Sequence, residues 1–223
     1  MRKKRGKQYI GIFLLIGGLF LISLPTTTSW IINQKSSQNV DQVKELPAEV
    51  LQENLSREGT FNFEDIAEIS TSSITSKKPD PDFLIGHLTI PKVGIDMPVY
   101  NGVTNEILNV GIGTMRQGVK MGEGNFPIAG HYSRRGTLFE KLNDVQIGDS
   151  IFLTDNENTY EYIAYDIKVV QPTDIRWIYD KVADDRGKPV ISLMNCYYVN
   201  GRKQGDQRYF VFGELEKIHQ HSD

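Results

Sequence analysis

Cysteine is almost missing: Cys196 stands alone among 223 residues, so no intramolecular disulfide forms. Histidine is scarce as well. The four present, His87, His131, His219 and His221, are scattered and give no zinc-ligand spacing with a single thiol. Lysine and arginine form no long run beyond residue 10 and the formal net charge is −3, which makes nucleic acid a poor fit as partner. No alanine precedes Ala48, so a small-x-small site with Ala is missing, which favours an uncleaved anchor over the rival reading, a cleaved signal peptide. There is no second apolar run like the one near the N-terminus, no internal repeat and no low-complexity tract. What is present is ordinary for a globular chain. A hydrophobic fraction of 39% with 24% charged residues excludes wholesale disorder. The length allows one domain of common size with extra segments.

The first segment sets the expected compartment. Arg2, Lys3, Lys4, Arg5 and Lys7 precede an apolar run, Tyr9–Leu24. A bilayer core takes about 20 apolar residues in a helix. The run is extended by uncharged residues 25–29 and by Trp30-Ile31-Ile32. Residues 1–8 are read as a basic cytoplasmic segment and 9–32 as an uncleaved transmembrane anchor. Basic residues stay inside, so the rest of the chain is expected outside, on a single-pass protein of the cell membrane. A lone thiol in an oxidising compartment asks for a reason. A buried core cysteine and a catalytic cysteine both supply one.

Residues 33–82 are rich in Ser, Gln, Asn, Glu and Lys, with weak helical periodicity over 40–55 and 61–69 and a Ser/Thr/Lys/Pro/Asp stretch over 70–81. They are read as an extracellular stalk and linker, partly helical, holding a domain off the membrane. Residues 83–218 change character, and 219–223 form a tail. Short β-type runs lie at 84–90, 95–100, 150–154, 159–170, 189–193 and 209–215. A turn at Asp155-Asn156-Glu157-Asn158 makes a hairpin of the third and fourth. Helical pieces are short: 105–110 after the N-cap candidate Thr104, and 138–145 after Thr137, with Glu140 completing a capping box. Many short strands between turns indicate an all-β barrel or sandwich.

Three residues carry the chemistry. Cys196 closes the run from Pro189 and is followed by a polar stretch, 197–207, then by Arg208 opening another strand. If those strands are neighbours, thiol and guanidinium share one sheet edge. Thiolate attack on an amide makes an oxyanion; a guanidinium beside it stabilises that charge and favours a thiolate. His131 follows an apolar strand ending in Ala129-Gly130, where the glycine lets another backbone or side chain approach. A histidine there protonates a leaving amine, then activates the next nucleophile. Each residue alone has a plain alternative, such as a buried thiol or a surface-loop histidine. The trio is the specific signal.

At these residues the sequence resembles the sortases, membrane-bound cysteine transpeptidases. Their nucleophile motif is Thr-Leu-x-Thr-Cys, and the chain reads Ser192-Leu193-Met194-Asn195-Cys196. Ile128-Ala129-Gly130-His131 is similar to the family's histidine motif, and Gln207-Arg208-Tyr209 to its arginine. Ile85–Pro91, Met97–Tyr100, Gly113-Thr114-Met115, residues 121–125 and residues 171–174 are similar in order and spacing, so the resemblance covers roughly 83–217. It implies an eight-stranded sortase β-barrel of the class A, housekeeping kind, with Cys196 as nucleophile, His131 as general acid and base, and Arg208 stabilising oxyanion and substrate. It implies cleavage of a Leu-Pro-x-Thr-Gly sorting signal between Thr and Gly. The thioester on Cys196 would be resolved by an amine of a lipid-linked peptidoglycan precursor, attaching a surface protein. By position, Val103, Leu108, Ala129, Ile175, Trp177, Ile178 and Met194 line the Leu-Pro groove, whose affinity would come from apolar burial.

Departures from the pattern set further expectations. Asn195 stands for the motif Thr and keeps a hydrogen-bonding side chain; Ser192 keeps the hydroxyl. Some class A members bind calcium through carboxylates before the histidine. The matching positions are Arg116, Val119 and Glu123, a poor set for a hard dication, so no calcium and no other cofactor is expected. Arg134 and Arg135 read as a solvated pair or as contacts to an anionic acceptor. An extracellular cysteine protease and a non-catalytic anchored binding domain remain as alternatives.

Overall fold

The structure, a computed structural model, describes residues 2–63, 66, 77–133, 137–199 and 202–221. Helix α1 (Arg2–Glu45) is followed by α2 (Ala48–Ser56). Strands β1 (Leu84–Ile90) and β2 (Ile95–Tyr100) flank a 3-10 turn, Pro91–Val93, that ends on Gly94 in the left-handed region. Then come α3 (Asn105–Leu108), β3 (Ile112–Thr114), β4 (Asn125–Gly130) and a 3-10 turn, Phe139–Asp144. Strands β5 (Ser150–Thr154) and β6 (Asn158–Val170) precede a 3-10 turn at Ile175–Ile178 and helix α4 (Lys181–Arg186). The long strands β7 (Val190–Val199) and β8 (Arg202–Gln220) end the chain.

The eight strands close into a barrel in the order β1-β2-β3-β4-β7-β8-β6-β5. The pairs β2/β3 and β4/β7 are parallel and the rest antiparallel, so the barrel is mixed. Its interior is apolar: Ile85, Leu88, Val99, Ile112, Phe126, Ile128, Ile151, Leu153, Leu193 and Val211 are all fully buried in one cluster. Alternation along the strands sends these side chains inward and their neighbours outward, with an irregularity between Leu84 and Gly86 that lets both Ile85 and Leu88 of β1 face inward.

The segment read as a stalk lies against this barrel over much of its described part. On α1, Ile32, Ser36, Val40 and Val43 are buried. Their spacing of four, four and three residues puts them on one helical face, turned toward β1 and β2. Asn156, at φ 70° in the β5–β6 turn, donates from Nδ2 to the carbonyls of Val43 and Leu46 at 2.7 and 2.9 Å, satisfying the end of α1. On α2, buried Asn54 donates to Leu84 O at 2.7 Å. Asn101 returns three bonds, to the carbonyls of Asn54, Leu55 and Arg57. The Val103 amide donates to Thr60 O at 2.7 Å. Of the helical stretch expected over 61–69, residues 64, 65 and 67–69 lie outside the described residues.

The expected anchor, 9–32, falls within α1, where Tyr9, Ile12, Phe13, Leu14, Leu15 and Trp30 are exposed. Among the described residues no helix is long and apolar enough to cross a membrane.

Two local expectations are corrected. Residues 197–199 and 202–207 are not loop but paired strand: β7 runs on to Val199 and β8 starts at Arg202, with Tyr198 opposite Lys203. Tyr197-Tyr198-Val199 are strong strand formers, and Asn200-Gly201, which lie outside the described residues, are a hairpin-turn dipeptide. The capping box at Thr137 does not form. Leu138 precedes the 3-10 turn at φ 54° with no side-chain cap, and the Thr137 hydroxyl donates to Ser133 Oγ at 2.5 Å.

Candidate active site

Three neighbouring strands build the site in rows. In one row stand Ala129 of β4, Met194 of β7 and Phe210 of β8, joined by the Ala129↔Met194 and Met194↔Phe210 pairings. All three are buried in one apolar cluster. Side chains recur on one face every second residue. The next row is therefore His131, Cys196 and Arg208. Cys196 pairs directly with Arg208 across the β7/β8 ladder, so both side chains leave one face at neighbouring positions. His131 lies two residues past Ala129, as Cys196 lies two past Met194, so continuing the parallel register beyond its last pair would place it alongside the thiol. Cys196 is free and half-buried, and His131 is buried. Arg208 donates from Nη1 to the carbonyls of Asp206 and Gln207. Cys196 does not close its strand as expected; β7 continues past it with a bulge between Cys196 and Tyr198.

Of the residues expected along the groove, Val103, Leu108, Ala129 and Met194 are buried in the apolar cluster beneath this row, and Trp177 and Ile178 pack against it. Ile175 stands apart, 57% exposed on the outer side of its 3-10 turn. Ile66, from the N-terminal segment, packs against the same cluster.

The loop holding Trp177 and Ile178 is tied to β4 by residues whose part the sequence did not announce. Asn125 donates from Nδ2 to the carbonyls of Trp177 and Tyr179 at 3.0 and 3.2 Å, and accepts from Ser192 Oγ at 2.7 Å. The hydroxyl of Ser192 thus anchors the loop indirectly. Arg116 donates from Nε to Ile178 O at 2.9 Å and from Nη2 to Asn125 O at 3.1 Å, and pairs with the Asp180 carboxylate. At the other positions weighed for calcium, Val119 is buried and Glu123 pairs with Lys120 at 3.3 Å. Among the described residues no three His, Cys, Asp or Glu side chains converge as a metal site.

Past His131, the Tyr132 ring stacks on Tyr198 with centroids 4.0 Å apart. Burial, and then the Glu140 carboxylate, push the Tyr132 phenol above its usual value, so it stays protonated. Arg134 and Arg135 lie outside the described residues.

The sortase domain family matches residues 88–216, more than half of the chain. The chain belongs to the sortase family. It is a sortase, a cysteine transpeptidase. It is 32% identical to sortase A of Bacillus anthracis over 216 residues, spanning 96% of this chain and 97% of that protein. It is 33% identical to sortase A of Listeria monocytogenes over 214 residues, spanning 95% and 92% of the two. The crystal structure of the Listeria monocytogenes sortase A superposes with a TM-score of 0.56 at 31% identity, covering 63% of this chain and 92% of that one. Sortase C-3 of Streptococcus pneumoniae superposes at 0.61 with 22% identity, covering 84% of this chain and 91% of that one, a likeness of fold.

In this sortase the glycine before His131 has a packing reason. A Cβ on Gly130 would stand 2.7 Å from both Ile112 Cγ2 and Phe139 Cβ. Gly130→Ala is expected to cost about 1–3 kcal/mol of stability through overpacking. Denaturant unfolding checks this; an unchanged midpoint would show that Phe139 yields freely.

Proposed function

We propose that this sortase cleaves Leu-Pro-x-Thr-Gly-type sorting signals between Thr and Gly and passes the acyl group to an amine of a lipid-linked peptidoglycan precursor, as a class A enzyme. The row of His131, just past the end of β4, with Cys196 on β7 and Arg208 on β8, above an apolar row, carries the reading. Cys196 Sγ attacks the threonine carbonyl carbon, and the carbonyl oxygen becomes an oxyanion facing the Arg208 guanidinium. His131 gives a proton to the glycine nitrogen as the C–N bond breaks, leaving a thioester on Cys196. The acceptor amine attacks that thioester, His131 takes the amine's proton, and the thiolate departs. The Leu-Pro portion rests on the apolar cluster around Val103, Leu108, Ala129, Met194, Trp177 and Ile178.

The same reading makes residues 9–32 a membrane anchor with the basic start inside and the barrel outside. The exposed apolar side chains of Tyr9, Ile12, Phe13, Leu14, Leu15 and Trp30 on α1 support it. No cofactor enters the scheme.

The test uses the full chain in detergent with a fluorogenic Leu-Pro-x-Thr-Gly peptide, with and without an amine acceptor, and Cys196→Ala as control. Cleavage that requires Cys196 and yields acceptor-linked product is expected. Hydrolysed product alone, with acceptor in excess, would point to a protease. No cleavage by folded protein would remove the sorting-signal reading.

A further inference from the structure

The nucleophile stands on β7 and the histidine just past the end of β4, and the ladder between those strands stops short of both. The last β4/β7 pair is Ala129↔Met194. Beyond it β4 ends at Gly130, and β7 carries a bulge just after Cys196. Pairing between β4 and β7 therefore fixes the row below the site and not the place of His131 beside Cys196.

What spans the gap is Asn195, next to the nucleophile and fully buried. Its Nδ2 donates to Phe139 O at 2.8 Å and to Asn143 Oδ1 at 3.0 Å. A carbonyl only accepts, so the bond to Phe139 fixes which end of the amide is nitrogen. Phe139 is bonded on its other side as well: its amide donates to His131 O at 3.1 Å. One unbroken chain thus runs from the residue before Cys196, through Phe139, to the backbone of His131. Asn143 adds a weaker link, donating to Tyr198 O at 3.5 Å. The pairing Tyr132↔Leu138 holds the histidine segment against the start of the same turn. Asn195 Oδ1 accepts no hydrogen bond from any described residue. A buried acceptor without a donor lowers stability. An apolar side chain of similar volume would avoid that cost but leave Phe139 O and Asn143 Oδ1 without this donor, so what the amide contributes is what its nitrogen reaches.

We infer that Asn195 is a positioning residue of the transfer reaction, a latch that sets the distance and angle between Cys196 and His131 through the Phe139 backbone. This rests on the proposed roles of those two residues. Substrate contacts come from the opposite face of β7, where Met194 and Cys196 point, so the latch acts on the chemical steps and leaves peptide binding alone.

The test compares Asn195→Thr with Asn195→Val in the full chain in detergent. The two side chains have nearly the same shape and differ in one hydroxyl donor. Thr keeps one hydrogen bond to the Phe139 side, and its kcat is expected within about threefold of the unaltered enzyme. Val keeps none, and its kcat is expected to fall about tenfold or more with KM within about twofold, as for a misplaced catalytic pair. Val leaves the buried Phe139 carbonyl without this donor, so its melting temperature is expected to fall somewhat; kcat measured well below the melting temperatures of both variants separates the latch from a stability effect. Asn143→Ala, at a half-buried position, provides a second variant and should lower kcat about two- to threefold with the Phe139 bond intact. Equal kcat for Thr and Val, or a loss carried entirely by KM, would overturn the latch while leaving the proposed catalytic pair in place. An unaltered enzyme that neither cleaves peptide nor reacts at Cys196 with iodoacetamide would overturn the proposed pair and the latch together.

Discussion

Replacing Arg208 with alanine is expected to lower kcat/KM for a sorting-signal peptide by about 10²–10³-fold, the usual loss when one oxyanion donor goes. Cys196 and Arg208 are cross-strand partners, so Cβ atoms of the two residues are held near each other by the backbone of β7 and β8. The guanidinium has five N–H donors in a fixed fork. Both hydrogen bonds it makes to Asp206 and Gln207 use Nη1, which ties the side chain to the hairpin and leaves Nε and Nη2 for the substrate. An oxyanion exists only after sulfur has attacked. Most of the loss should therefore lie in kcat, while KM moves little.

Two comparisons sharpen the expectation. Arg208→Lys supplies charge without the fork and should recover only part of the loss. His131→Ala removes proton transfer and should lower kcat by about 10²–10⁴-fold. Groups that act as one unit are not additive, so the double variant should be well short of the product of the two. The measurement is steady-state cleavage of the fluorogenic peptide with melting temperature as control. A kcat for Arg208→Ala within twofold of the unaltered enzyme would mean the guanidinium serves the β7–β8 hairpin and nothing else.

The parts of the site that were legible in the sequence are those fixed by strand periodicity and by rare residues. A single cysteine, a histidine after Ala129-Gly130 and an arginine opening a strand are readable because each is scarce or marked by its neighbours. The runs 84–90 and 95–100 coincide with β1 and β2 because alternation and the Pro-Lys-Val-Gly turn agree. Closure and the parallel pairs β2/β3 and β4/β7 were not legible, since pairing partners far apart in sequence leave no local pattern. The length of β7 and β8 was missed because the polar residues 202–208 look like loop, although Asn200-Gly201 signals a hairpin. Asn195 was seen only as a departure from a motif. Its partners, Phe139 O and Asn143, are more than 50 residues away, so its work becomes visible only when the barrel is closed. The face Ile32–Val43 was hidden for a related reason: among many polar residues, a buried stripe of four is a weak periodic signal until β1 and β2 are there to receive it.

Arg116 supports the second large prediction. Where a carboxylate cluster would invite a dication, this chain carries a cation of its own, and its three partners lie on two sides of one joint. Ile178 O and Asp180 belong to the loop that bears Trp177, while Asn125 O belongs to β4. Asp180 is 55% exposed at its side chain, so the ion pair itself contributes little. The bonds to the two carbonyls matter more, since the guanidinium is 20% exposed and hydrogen bonds to charged groups are worth about 1.5–3 kcal/mol. Arg116→Met keeps much of the stem and removes those bonds. The loop then has to be ordered at the moment substrate binds, which raises KM about tenfold or more and leaves kcat within a few-fold. Asp180→Asn, which retains an acceptor for Arg116 and for the Asn125 amide, should change KM less than threefold. Because the joint is already held by a fixed charge, adding calcium to chelated enzyme should leave turnover unchanged. A several-fold rise on calcium addition, or an Arg116→Met enzyme with the KM of the unaltered one, would show that the loop is ordered by something other than this guanidinium.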